Sequence, residues 1–82
     1  MIKGGIALGL PKEIATELAI GTIVGAAAML KESGLDAATL RKNVTSPNGT
    51  TAAALKVFSD SDLAGIVKNA MTAAKNRAQE LA

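Results

Sequence analysis

Leu18-Ala19-Ile20-Gly21-Thr22-Ile23-Val24-Gly25-Ala26-Ala27-Ala28-Met29-Leu30 carries no charge and a single polar side chain, Thr22. Its apolar residues do not alternate with polar ones, as a half-buried strand would require. They recur at helical spacing. Ile14, Leu18, Gly21, Val24, Gly25 and Ala28 fall on one side, and Ile20, Ile23, Ala27 and Leu30 on an adjacent side. The spacing predicts one helix from Pro11 to about Ser33, apolar round most of its circumference between Leu18 and Leu30. Such a helix needs cover on every side. A chain of 82 residues has few elements to supply it, so a partner chain is expected. Gly21 and Gly25 form a small-xxx-small pair that lets a second backbone approach closely. Either a crossing within the chain or a partner chain would use that pair.

On the N-terminal side, Met1 to Gly9 is apolar and broken by Gly4, Gly5 and Gly9. It reads as the tail of a helix begun upstream, as in a truncated chain. Gly9-Leu10-Pro11 stops it, and Pro11 suits the first position of the next helix. On the C-terminal side, Gly34 is expected to end the long helix in a left-handed cap. Asp36 then caps a short helix from Ala37 to about Lys42. A third helix is expected from about Thr50 to Phe58. Ser59 and Asp62 have capping-box spacing, with Asp in place of Glu, and a last helix follows from about Asp60 to Leu81. In it Leu63, Ile66, Val67, Ala70, Met71, Ala74, Ala78 and Leu81 make one apolar stripe. No stretch keeps period two, so the fold class is all-α, a helical bundle.

Composition narrows the chemistry. With no His and no Cys, no ordinary metal site, imidazole base or thiol nucleophile is expected. The lack of Cys also fits a cytoplasmic protein. One aromatic residue, Phe58, is too few for base stacking, and the net charge of +2 is spread among acids. No nucleic-acid partner is expected. Nor is a membrane: the uncharged run is 13 residues, short of the roughly 20 that span a bilayer. No signal peptide is apparent. The carboxylates sit mostly at caps or on polar faces, and nothing in their spacing suggests a catalytic pair.

Asn43-Val44-Thr45-Ser46-Pro47-Asn48-Gly49-Thr50-Thr51 gathers turn residues and hydroxyls immediately before a helix. A turn that opens into a helix presents unpaired N–H groups with the positive dipole end behind them, a seat for a carboxylate or phosphate. Plain N-capping by Thr50 or Gly49 is the simpler account of the same residues.

Three blocks together resemble the C-terminal dimerisation domain of pyrroline-5-carboxylate reductase. They are Gly9-Leu10-Pro11-Lys12-Glu13, Gly25-Ala26-Ala27-Ala28-Met29-Leu30, and Leu40-Arg41-Lys42 continuing into the Asn43–Thr51 segment. The likeness runs through to Ala74-Lys75-Asn76-Arg77-Ala78-Gln79-Glu80-Leu81 and so covers nearly the whole chain. The resemblance implies an all-α domain forming an interlocked homodimer, which often assembles into larger rings. It implies a separate N-terminal Rossmann domain binding NADPH or NADH. The reaction it implies is reduction of the imine of 1-pyrroline-5-carboxylate to L-proline, the last step of proline biosynthesis.

By position, the resemblance makes Ser46, Gly49, Thr50 and Thr51 substrate-binding, with the Thr51 hydroxyl facing the ring nitrogen as the catalytic group. Asn43 and Val44 match positions near the nicotinamide. Asn48 stands where the family usually has the first Gly of the loop, and Asn tolerates positive φ. The family's Gly-Ser-Gly-Pro-Ala helix start is absent, as is the Rossmann domain. The chain alone is therefore expected to be inactive and to bind no cofactor. Two other readings are a stand-alone helical interaction protein and the helical domain of another imine or hydroxyacid reductase. A Gly-rich turn after a strand upstream of Met1 would separate the first of these from a reductase.

Overall fold

The uncharged run lies within one helix, as its spacing requires. The computed structural model describes Met1–Ala82 and contains five helices and no strand: α1 (Ile2–Ala7), α2 (Lys12–Ser33), α3 (Ala37–Asn43), α4 (Thr50–Asp60) and α5 (Leu63–Leu81). The fold class is all-α. The helices form two compact units, Met1–Asn43 and Val44–Ala82.

In the first unit α1 folds back on α2. Gly9 takes a φ of 106°, and the N–H groups of Gly9 and Leu10 donate to the Ile6 and Gly5 carbonyls at 3.0 Å. Gly is suited to that positive φ. The two helices meet at small residues. A Cβ on Gly5 would lie 3.1 Å from the Ala15 Cβ. Ala15 and Ala19 are the buried apolar residues of the chain, at 3% and 7% exposure. Pro11 is extended, with φ −59° and ψ 147°, so it precedes α2 instead of opening it, and its carbonyl accepts from the Ala15 N–H at 2.9 Å.

Two small alanines are a thin core. On α2, Leu18, Ile23 and Val24 are 56%, 61% and 61% exposed. Within the first unit, nothing beyond the backbone of α2 itself lies within 4 Å of a Cβ placed on Gly21 or Gly25, so neither α1 nor α3 makes the close crossing. Thr22, the polar residue of the run, donates its hydroxyl to the Leu18 carbonyl at 2.7 Å. Its donor is thus satisfied inside the helix, so covering this face would not strand an unpaired hydroxyl hydrogen. The whole of α2 is also long and apolar enough, by length and composition, to cross a membrane. Its charged ends, Glu17 on one side and Lys31 on the other, confine the uncharged part to Leu18–Leu30. Gly34 ends the helix at φ 71°, the expected left-handed cap. Asp36 opens α3 by accepting from the Thr39 N–H at 2.8 Å.

In the second unit the break between α4 and α5 falls later than the sequence suggests. α4 runs past Phe58 to Asp60, and α5 starts at Leu63. Nothing in Phe58-Ser59-Asp60 forbids a helix, and the exposed Lys56–Asp60 pair at 2.6 Å has favourable one-turn spacing. The expected capping box does not form, because Ser59 lies inside α4. Asp62 is itself the N-cap: it is left-handed at φ 55° and accepts from the Gly65 N–H at 3.2 Å. A Cβ on Gly65 would collide with the Asp62 carboxylate, which accounts for Gly there. The stripe on α5 is present but uncovered; Ile66 and Met71 are 57% and 68% exposed and α5 buries no residue.

Candidate functional site

The turn before α4 is built by three consecutive residues. Pro47 has its φ fixed near −65° by its ring, which suits the second position of a β-turn. Asn48 follows with φ 60°, the positive value that a type II turn needs at its third position. The Gly49 N–H then closes the turn on the Ser46 carbonyl at 3.0 Å. The Asn in this loop thus adopts the left-handed backbone that its residue type tolerates.

Gly49 is the N-cap of α4, with φ −84° and ψ −179°. That backbone suits any residue, so positive φ is not what favours Gly here. Crowding is. A Cβ on Gly49 would sit 3.2 Å from the Ser46 carbonyl oxygen and 3.3 Å from its Cβ. Ser46 is therefore packed directly against the start of α4.

No side chain caps this helix. Its first one-turn bond runs from the Ala53 N–H to the Gly49 carbonyl at 3.1 Å. The N–H groups of Thr50, Thr51 and Ala52 precede that bond and have no partner in the helix ladder. Capping by a Thr50 side chain, one account open to the sequence, is not what the structure contains. Thr50 and Thr51 occupy the first two helical positions instead, Thr50 exposed and Thr51 half-buried. The result is a small concentration of donors at the positive end of an 11-residue helix. It suits a compact anion with a nitrogen or oxygen beside it. The sequence pointed to hydroxyls beside unpaired N–H groups; the structure identifies those N–H groups as the ones of Thr50, Thr51 and Ala52.

Ser46, Gly49, Thr50 and Thr51 are thus consecutive parts of one local structure in the second unit. Asn43 is the last residue of α3 in the first unit. Val44 opens the second unit with its side chain 55% exposed. The chain has no strand followed by a Gly-rich turn, so it has no dinucleotide phosphate seat of the Rossmann kind.

The one resolved electrostatic shift lies outside this group. The Thr39 side chain, and then its backbone N–H, hydrogen-bond the Asp36 carboxylate and hold its pKa below the ordinary value. Both favour the charged form, as expected of an N-cap.

Comparison with known proteins converges on one family. The family model described as pyrroline-5-carboxylate reductase dimerisation matches residues 1–81. The chain is 45% identical over its full length to a pyrroline-5-carboxylate reductase of Pseudomonas aeruginosa, of which it covers 30%. It is 40% identical over 99% of its length to the Arabidopsis thaliana enzyme of that name, covering 29% of it, and 42% identical to that of Pisum sativum, covering 30%. The chain thus spans about 30% of the length of these curated relatives. With the helical architecture and a family match over almost every residue, the chain belongs to the pyrroline-5-carboxylate reductase dimerisation family.

Proposed function

We propose that this chain is the dimerising and substrate-holding part of a reductase that converts 1-pyrroline-5-carboxylate to L-proline. The uncapped start of α4, with Thr51 at its second position, is the observation that carries this reading. The substrate has one carboxylate, and unpaired N–H groups at a helix N-terminus are a suitable partner for it. It also has a ring nitrogen that changes from imine to amine. A Thr hydroxyl both donates and accepts, so Thr51 serves that nitrogen before and after reduction. Ser46, packed against Gly49, shapes the loop and adds a hydroxyl beside the carboxylate seat. Thr50 contributes its N–H and a hydroxyl at the same turn.

The hydride comes from a reduced nicotinamide cofactor, NADPH or NADH, when one is bound. Val44 and Asn43 fit the ring end of such a cofactor; the rest would be held by residues outside this chain. The protein acts as a homodimer, with further assembly into larger homo-oligomers, in the cytoplasm. No membrane or nucleic acid enters this reading.

The test uses the full-length protein. Purified enzyme should oxidise NADPH or NADH in the presence of 1-pyrroline-5-carboxylate, and Thr51→Val should lower kcat/KM while leaving the melting temperature near that of wild type. Absence of imine-dependent oxidation in the wild type would refute the activity. Loss of melting temperature with unchanged kcat/KM would reduce Thr51 to a helix-start residue.

A further inference from the structure

We propose that Asn48 is a positioning residue for the substrate seat and acts through its backbone conformation, not through its carboxamide; this rests on the reading of the seat given above. Asn48 and Asp62 are the two non-Gly residues with positive φ, at 60° and 55°. The two differ in what accompanies that conformation. Asp62 uses its side chain to cap α5 through the Gly65 N–H. The Asn48 side chain is exposed and makes no hydrogen bond within the chain. Its left-handed backbone therefore serves the turn alone.

What the turn holds is specific. The Gly49 N–H to Ser46 carbonyl bond spans it, and Ser46 sits so near that a Cβ added at Gly49 would lie 3.2 Å from its carbonyl oxygen and 3.3 Å from its Cβ. When Asn48 leaves positive φ, that bond opens and Ser46 is released from the start of α4. Residues other than Gly, Asn and Asp disfavour the left-handed region by about tenfold or more in population. A protein whose competent conformer is a minority binds with affinity reduced by that fraction. Saturating substrate restores the competent turn, so turnover at saturation is preserved. A purely structural role would instead lower the melting temperature with KM and kcat unchanged.

The experiment compares full-length wild type with Asn48→Gly, Asn48→Ala and Asn48→Val, measuring KM for 1-pyrroline-5-carboxylate, kcat and melting temperature. Gly keeps the conformation and deletes the carboxamide, so its KM should stay within about twofold of wild type. Ala and Val should raise KM by about fivefold to tenfold, with kcat within about twofold. Should the branched Val variant fail to fold, the Ala variant carries the same comparison. Unchanged KM in Ala and Val, with wild-type activity intact, would overturn the positioning role. A rise in the Gly variant matching that in Val would overturn the backbone assignment, since the carboxamide would then be the group in use. A wild type inactive toward the imine would overturn the reading of the seat and this inference with it.

Discussion

Thr51 shows how much a single side chain is asked to do in this reading. It is the second residue of α4 and half-buried. A neutral hydrogen bond is worth about 0.5–1.5 kcal/mol, so Thr51→Ala or Thr51→Val should lower kcat/KM by up to about tenfold, and by more if charge develops on the nitrogen. Steady-state kinetics on the full-length enzyme measures this directly. Ser46→Ala should act differently, raising KM with kcat closer to normal, because the proposed role of its hydroxyl is in the loop and the carboxylate seat. Gly49→Ala tests the packing: its backbone accepts Ala, but the new methyl must displace Ser46 from contacts of 3.2 and 3.3 Å. It should therefore weaken substrate binding more than it harms folding. Ser46, Gly49, Thr50 and Thr51 were all readable as a polar cluster before a helix. What the residue types alone did not give was the order of roles. Gly49 as the N-cap was one of the two readings open to the sequence; Ser46 folded against it depends on the turn closing through backbone atoms.

At the scale of the element, the legible helices were those with strong stops. α2 ends at Gly34 and α3 begins after Asp36, both as their residues require. The α4–α5 junction was misplaced because Ser59-Asp60-Ser61-Asp62 offers several capping residues in a row. Of these Asp62 is the cap, and Gly65, three residues on, leaves its carboxylate room. Gly65→Ala puts two effects in opposition. Ala is a better helix former than Gly by about 1 kcal/mol, but displacing the Asp62 cap costs about as much. Denaturant melts should therefore show no net gain, unlike an ordinary surface Gly→Ala in a helix. The Asp36 cap gives a pH dependence of known sign. Its folded pKa is lowered by Thr39, so the unfolded state takes up a proton first as pH falls. Its contribution is complete above the unfolded value, about 3.9, and is lost as pH drops through the lower folded value. Amide exchange at Thr39 should speed up in that acidic window, and Asp36→Asn should remove the dependence.

At the scale of the molecule, the chain is short of core. Each unit meets this separately: the first buries only Ala15 and Ala19, and the second has no buried residue. The absence of a Rossmann phosphate seat leads to one expectation for the chain by itself. Calorimetry with NADPH should give no micromolar affinity, and no reductase activity should be detectable. The exposed apolar face of α2 leads to the other, since the sequence offered a crossing within the chain or a partner chain as the use of its small-xxx-small pair. A Cβ on Gly21 or Gly25 meets no atom of α1 or α3 within 4 Å, so the small-xxx-small pair is not consumed by a crossing within the first unit. Leu18, Ile20, Ile23, Val24, Met29 and Leu30 are all exposed around it. Fully burying a side chain of this kind is worth about 1.5–3 kcal/mol, so covering several against a second copy accounts for a stable dimer. Sedimentation at micromolar concentration should find a dimer, and a folded monomer would refute it. Gly21→Leu discriminates further. In an isolated chain the new side chain projects into open space and raises helix propensity, so a monomer would be unharmed or stabilised. In a dimer with close backbones it overpacks the crossing at a cost of about 1–3 kcal/mol. The dimer dissociation constant should then rise by about tenfold to a hundredfold, and the melting temperature should fall and depend more steeply on protein concentration.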